Sequence, residues 1–509
     1  MDDHTQNEEE NQPPVNQEVP QPVFETVPVG GAEVTQPSGD LISEEIGPDV
    51  EAIGGTLTNS SVPEVSPSDE PVIYEENKMK YIIMGIGASF FIIITAVMFS
   101  LLLKGGKGTA QKKEVSLSYW GLWEEKETMD PVIKLYEQKN PGVRILYEKK
   151  TPQDYREKLI VRSQKGQGPD IFRFHNTWLP QIKEITAPLP SEVMSGAEFE
   201  RTFYPIHQKD LKIGKYYYGL PLSVDGLVLV YNEDLFKKAG INKSPGNWDE
   251  LIEDANKVQV TGKEGEIITA GIAIGTASNI EHFSDIFGLL LVLNGGDIMK
   301  LDEPEAVGAL EAYRRFSEAP NNTWSEALPN AISAFIQQKV AMIIIPSWEL
   351  LTIKGTDPDL KLKVVPVPKP PGGKQASLAT YWVEGVSKMS RNQLEAWKFL
   401  KFLTEKETMT KMYESQSATR LFSDPYSRVD LANLIMQNEY TGAVIRQAQD
   451  DIYISLPLIS RTYDNGLNDE IIRYIENAVN ETIRGVSYHE ALQTAKKGVD
   501  QVIGRYKIE

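Results

Sequence analysis

KIGKYYYGLPLSVDGLVLVYNEDLFKKAGI, residues 212–241, carries the pattern from which the fold is read. Leu227 to Tyr231 is an unbroken apolar run, of the length of a strand covered on both faces. Glu233 to Ala239 follows as a short helix. Gly240 then supplies the residue type suited to the left-handed position that closes a helix. Just ahead of the strand, GLPLSVDG (219–226) is turn-rich and holds one carboxylate, Asp225. A buried strand feeding a helix is the repeating unit of an α/β fold.

The same unit recurs on both sides. Val115, Leu117 and Tyr119 alternate with polar residues as a strand, and Asp130-Pro131 opens a helix with Val132, Leu135 and Tyr136 on one face. Pro141-Gly142 turns the chain into a second strand, Val143 to Tyr147. Gln153 to Gln164 reads as a helix, and Asp170 to Phe174 as a third strand after Gly168-Pro169. Further on, Val340 to Ile345 is another buried strand. Beyond Arg391 the chain is helical almost throughout, with breaks near 419–426 and 456–466. Repeated βα units predict a mostly parallel sheet covered by helices. No internal repeat is visible.

The N-terminal part is of another kind. The first 77 residues hold 18 of the 72 acidic residues and none of the 52 basic ones, so the rest of the chain is nearly neutral. Rich in Pro, Gln, Glu, Ser and Thr and without a hydrophobic period, residues 1–78 read as a disordered acidic tail. Residues 81–103, YIIMGIGASFFIIITAVMFSLLL, contain no charge and as a helix would reach about 34 Å, enough to cross a bilayer. A single transmembrane anchor is expected there in preference to a signal peptide, whose apolar region would be shorter. Lys104 to Lys113 reads as a flexible linker, and a large domain occupies 114–509. Lys104, Lys107, Lys112 and Lys113 outnumber Lys78 and Lys80, so the positive-inside rule by itself places that domain in the cytoplasm.

Several chemistries are absent as motifs. With no cysteine there is no disulfide, thiolate metal site, cysteine nucleophile or lipid-bearing cysteine. The five histidines show no HxxxH spacing, and no metal site or cofactor is expected. There is no GxxxxGK[ST], no GxGxxG after a strand and no GxSxG. The near-neutral domain lacks the basic stripe that nucleic-acid binding requires. A paired-carboxylate glycosidase is not decided by motif, because its two acids need only meet in space.

Taken in order, VSLSYWGLW, LYEQKNPGVRILYE, DYREKLIVRSQKGQGPDIFRFHN, the 212–241 stretch with NWDELIEDANKV, then LNGGDI, FIQQKVAMIIIPSW, VVPVPKPPGG, EAWKFLKFLT and HEALQTAKKGVDQVIGRY resemble family 1 of the extracellular solute-binding proteins of ABC importers, the sugar-binding class that includes maltose-binding protein. The resemblance covers nearly all of 114–509. It implies an α/β domain of the two-lobed, type II periplasmic-binding-protein kind, with lobe 1 at about 114–223 and 367–416 and lobe 2 at about 226–365 and 420–509. It implies a hinge, a ligand in the interlobe cleft and no catalysis. The expected partners are a small polar solute, a sugar or oligosaccharide above all, and ABC permease subunits, with the bilayer engaged through 81–103 and the domain itself monomeric. It also implies an extracytoplasmic domain and a cytoplasmic tail, against the lysine count. A ligand-sensing or surface-attachment ectodomain without a transport role is the alternative.

The resemblance also selects candidate ligand residues. Trp120 and Trp123 follow the first strand, where aromatic rings can receive the apolar C–H face of a sugar, although both could equally be core. Phe174, His175 and Asn176 end the third strand, and His and Asn can both donate and accept to hydroxyls. Asp225 sits at the lobe crossing, where a carboxylate could accept from two hydroxyls or merely cap the turn. Trp348 in IIIPSW matches a position that stacks on sugar in the family. Glu281, Tyr381, Trp382, Arg420 and Tyr463 fall near other cleft segments.

Overall fold

The computed structural model describes Thr95, residues 114–370 and residues 373–506. The expected tail, the linker and, Thr95 apart, the 81–103 span lie outside these residues. No helix among the described residues is long and apolar enough to cross a membrane.

Twelve strands frame the site. In chain order they are β1 (Val115–Gly121), β2 (Val143–Lys149), β3 (Ile171–His175), β4 (Leu220–Pro221), β5 (Leu227–Asn232), β6 (Val260–Thr261), β7 (Ile267–Ile272), β8 (Val340–Pro346), β9 (Leu362–Val365), β10 (Ser377–Leu378), β11 (Trp382–Val386) and β12 (Tyr453–Ile454). One sheet has the order β2-β1-β3-β11-β4 and the other β9-β5-β8-β7-β6. Each is the centre of one lobe, and β10 pairs with β12 between them.

The sheets are mixed rather than mostly parallel. In the first lobe β1 runs parallel to β2 and β3, but β11 is antiparallel to β3 and β4. In the second, β5 is antiparallel to both β8 and β9, whereas β8 and β7 are parallel. The physical reason is connectivity: β11 re-enters the first sheet from the other lobe, without the βα crossover that enforces parallel pairing. Strand identity follows burial, for all seven residues of β8 and all five of β3 are buried, as strands covered on both faces require. The first long helix, Lys126–Lys139, starts a turn earlier than expected and contains Pro131 near its start. The helix Glu233–Lys238 is capped by the Asn232 side chain, which accepts from Leu235 N–H at 2.9 Å, and Gly240 follows at φ 69°.

Three passages join the lobes. The first is Ser223 to Gly226, where Val224 N–H donates to Pro425 O and Thr380 N–H to Asp225 O, each at 3.0 Å. Gly226 has no room for a side chain: a Cβ there would lie 2.3 Å from Leu378 O. The second passage runs through β10, whose Ser377 hydroxyl donates to Leu227 O at 2.8 Å. The third is β12, held by Ala379 N–H donating to Ile454 O. Arg428 bridges to Phe203 and donates to Thr404 O, so the chain around it packs on the first lobe.

The lobes also meet outside these passages. There the helix Tyr155–Gln164 abuts the loop before the helix Leu467–Ile483. Asp154 N–H donates to Asp464 O at 3.0 Å, and buried Arg156 and Asp464 approach to 3.1 Å as an ion pair. Arg156 also donates to Gln181 Oε1.

Candidate functional site

A cavity of about 470 Å³ opens between the lobes. The first lobe supplies Trp123, Arg173, His175 and Trp382, the second Trp348, Arg461 and Tyr463, and the hinge Asp225 and Thr380.

The first-lobe wall follows from strand periodicity. On β3, Arg173 and His175 are two residues apart and share the cavity face, whereas Phe174 points the other way and is fully buried. Across the strand pair, Trp382 lies opposite His175 and Glu384 opposite Arg173. The Trp382 ring makes edge contacts with Trp123 at 5.3 Å, His175 at 5.1 Å and Trp178 at 5.3 Å. Arg173 is clamped between two carboxylates: Nε donates to Glu384 Oε1 at 2.7 Å and Nη1 contacts Glu124. Burial, with some help from Arg156, lowers the His175 pKa to about 3, so the ring is neutral. Its Nδ1 lies 2.8 Å from Thr177 Oγ1 and its Nε2 2.9 Å from Thr380 Oγ1, so both ring nitrogens are engaged by protein hydroxyls.

Asp225 is 7% exposed and occupied by its own surroundings. Oδ2 accepts from the Ser347 hydroxyl at 2.7 Å, and Oδ1 from Gly226 N–H at 2.6 Å and Ser347 N–H at 3.2 Å. Burial raises its pKa to about 7 against the pull of these donors. It ties the first passage to the loop that presents Trp348.

On the second-lobe wall, His282 holds the segment behind Trp348. Its Nδ1 is 3.1 Å from Asp285 Oδ2 and its Nε2 is 3.2 Å from Glu349 Oε1. Burial pulls its pKa down, but hydrogen bonds to the two carboxylates outweigh that and raise it to about 9. The Trp348 ring lies 6.3 Å from the imidazole. Tyr463 is 39% exposed and, at φ 57°, sits in a backbone region that a bulky residue seldom occupies, a feature that clusters at ligand sites.

Of the twelve residues selected from sequence, eight line the cavity: Trp123, His175, Asp225, Trp348, Tyr381, Trp382, Arg420 and Tyr463. Tyr381 is only 1% exposed and donates its hydroxyl to Asp210 at 2.6 Å. The other four do not. Trp120 lies beneath the Lys150 ammonium, 4.5 Å from the ring centroid, and packs against Tyr155. Phe174 is core, since a side chain on the alternate face of β3 cannot reach the cleft. Asn176 is buried, donating to Asp210 and Ser455 and accepting from Tyr381 N–H. Glu281 is partly buried outside the lining, and that burial raises its pKa.

Sequence reading missed Arg173, Glu124, Arg461 and an apolar flank that includes Met409, Met412 and Tyr413. Arg173 had a signal, because a lone cation within the apolar strand IFRFH must have buried partners. Arg461 had none. No group of acidic or histidine side chains suited to a metal ion occurs among the described residues.

The sequence profile of the bacterial extracellular solute-binding proteins matches residues 121–410. A binding protein of Brucella abortus (strain 2308) is 28% identical over 292 residues, 56% of this chain and 71% of that protein. A multiple sugar-binding protein of Streptococcus mutans is 22% identical over 345 residues, 65% and 80% of the two chains. An ABC transporter solute-binding protein of Thermotoga lettingae, solved with α-D-tagatose, shares the fold at TM-score 0.58 and 24% identity, over 77% of this chain and all of that one.

Proposed function

Because the chain belongs to the bacterial extracellular solute-binding protein family, we propose that its cleft captures a saccharide or similar polar solute and presents it to an ABC permease from a membrane-tethered position outside the cytoplasm. The observation that carries this reading is the placing of exposed or half-exposed aromatic rings on both walls, Trp123 and Trp382 on one and Trp348 and Tyr463 on the other. Such rings pack on the C–H faces of sugars, while the Thr380 hydroxyl and the Arg173–Glu124 cluster offer donors and acceptors for hydroxyls. The sugar-binding relatives named above support the same class.

Binding works through the lobes. A solute that touches both walls gains contacts only when they are together, so its differential affinity favours the closed arrangement. Three covalent passages confine the motion to a hinge. A permease that recognises the closed pair then discriminates loaded from empty receptor without any chemical step here. Tethering through 81–103 would keep the receptor at high effective concentration beside its transporter.

Titration of the purified full chain with mono- and oligosaccharides, followed by tryptophan emission, tests the reading. Three of the cavity residues are tryptophans, so a saturable change is expected with a cognate sugar and is expected to be lost in Trp382→Ala. A panel that leaves emission unchanged and shows no binding heat argues against a saccharide receptor.

A further inference from the structure

Three basic side chains line the cavity, and the protein neutralises two of them. Arg173 is held by Glu124 and Glu384. Arg420 donates to Asp424 Oδ1 at 2.7 Å and Gln416 Oε1 at 2.9 Å. The guanidinium of Arg461 has no ion-pair or hydrogen-bond partner among the described residues. Its Nε is buried and unpartnered, and the guanidinium lies over the rings of Phe283 at 5.8 Å and Tyr463 at 5.9 Å.

Most of the nearby acids are engaged elsewhere: Asp285 and Glu349 share His282, Asp225 is held by Ser347 and Gly226, and Asp464 by Arg156. Asp469 accepts from Asn465 N–H at 2.8 Å through Oδ2, while its buried Oδ1 has no hydrogen-bond partner; burial raises its pKa, and the Arg461 charge pulls against that without a direct ion pair. The loop holds Arg461 in place: its N–H donates to Asp285 Oδ1 at 3.3 Å, and Leu458, Tyr463 and Asn465 around it all have positive φ. A fixed cation with a vacant hydrogen-bonding fork, facing a ligand cavity, is the complement of an oxyanion.

Resting on the saccharide reading above, we propose that the solute is an anionic saccharide whose carboxylate or phosphate pairs with Arg461 while its ring packs on the aromatic walls. Arg461 is then the residue that selects acidic over neutral sugars. It also couples the charge to closure, because the anion is gripped by the second lobe and the ring by the first.

Calorimetric titration of the full chain with matched pairs tests this: galacturonate and its dimer against galactose and galactobiose, and glucose 6-phosphate against glucose. At least one acidic member is expected to bind more tightly than its neutral partner, and which acid does so separates a carboxylate from a phosphate ligand. Arg461→Gln should lower that acid-over-neutral preference about 10- to 100-fold, with Arg461→Lys retaining part of it. On the natural protein, raising salt from about 0.05 to 0.5 M should weaken the acidic ligand more than the neutral one, a readout independent of whether the variants fold. Neutral sugars binding as well as or better than their acidic partners, or an acid preference that survives Arg461→Gln, overturns the inference and leaves the receptor reading standing. Absence of binding by every sugar overturns both.

Discussion

Titration of His282 should be visible in the stability of the whole domain. The imidazole is 2% exposed and bridges Asp285 and Glu349, and its pKa rises from 6.5 to about 9 because those two hydrogen bonds outweigh the burial that opposes them. A gap of that size corresponds to about 3 kcal/mol. Because the folded pKa is the higher one, this stabilisation is fully present below pH 6.5 and is lost as pH rises through 9. Denaturant unfolding of the purified chain, followed by tryptophan fluorescence from pH 6.5 to 10, should show that decline. In His282→Gln the decline should vanish. At pH 7 the variant should also be less stable by about 3–5 kcal/mol, since two buried carboxylates then face each other without a cation. Glu349 begins the helix Glu349–Thr356, directly after Trp348, so solute affinity should fall over the same alkaline window. Natural protein with flat stability between pH 7.5 and 9.5, or a variant with an undiminished slope, refutes the buried imidazolium.

Asp225→Asn probes the opposite sign of linkage. Burial raises this acid from 3.8 to about 7, so its contribution is present below pH 3.8 and disappears as pH rises through 7. The difference in unfolding free energy between natural protein and variant should drop by about 4 kcal/mol across that range, and a pH-independent difference contradicts the assignment. Asp464→Asn strips Arg156 of its charge partner across the lobes and should cost about 3–5 kcal/mol. Small-angle scattering of the unliganded variant should also give a larger radius of gyration, and an unchanged radius means the pair does not hold the lobes together. Gly226→Ala forces a methyl group to within 2.3 Å of Leu378 O and should destabilise by about 1–3 kcal/mol. Unaltered melting of that variant would show the first passage to be looser than described.

The elements were legible where the signal is local. The apolar run at 227–231, the helix closed by Gly240 and the strands at 115–121, 143–149 and 171–175 all follow from burial periodicity and end signals. Sheet order was not, because β11 joins β3 across more than two hundred residues and nothing in TYWVEGV states its direction. The third passage at Tyr453–Ile454 escaped for the same reason. In the site, sequence located the aromatic rim at strand ends and helix starts, as with Trp123, Trp348 and Trp382. It did not separate the faces within a segment. Phe174 was named beside His175 while Arg173, on the cavity side, was passed over, and Trp120 was named beside Trp123, of which only Trp123 reaches the cavity. A strand reverses its face at every residue, so a correct segment with a one-residue slip exchanges a ligand contact for a core residue.

A thermal-melt screen of the full chain against mono- and oligosaccharides, amino acids, polyamines and glycerol phosphates tests the capture of a small solute most directly. A ligand at about 100 times its dissociation constant adds about 2.7 kcal/mol to the folded state. The account predicts that at least one saccharide raises the midpoint and that Trp382→Ala abolishes the rise. A well-folded domain that no saccharide shifts, or a shift that persists in Trp382→Ala, contradicts it.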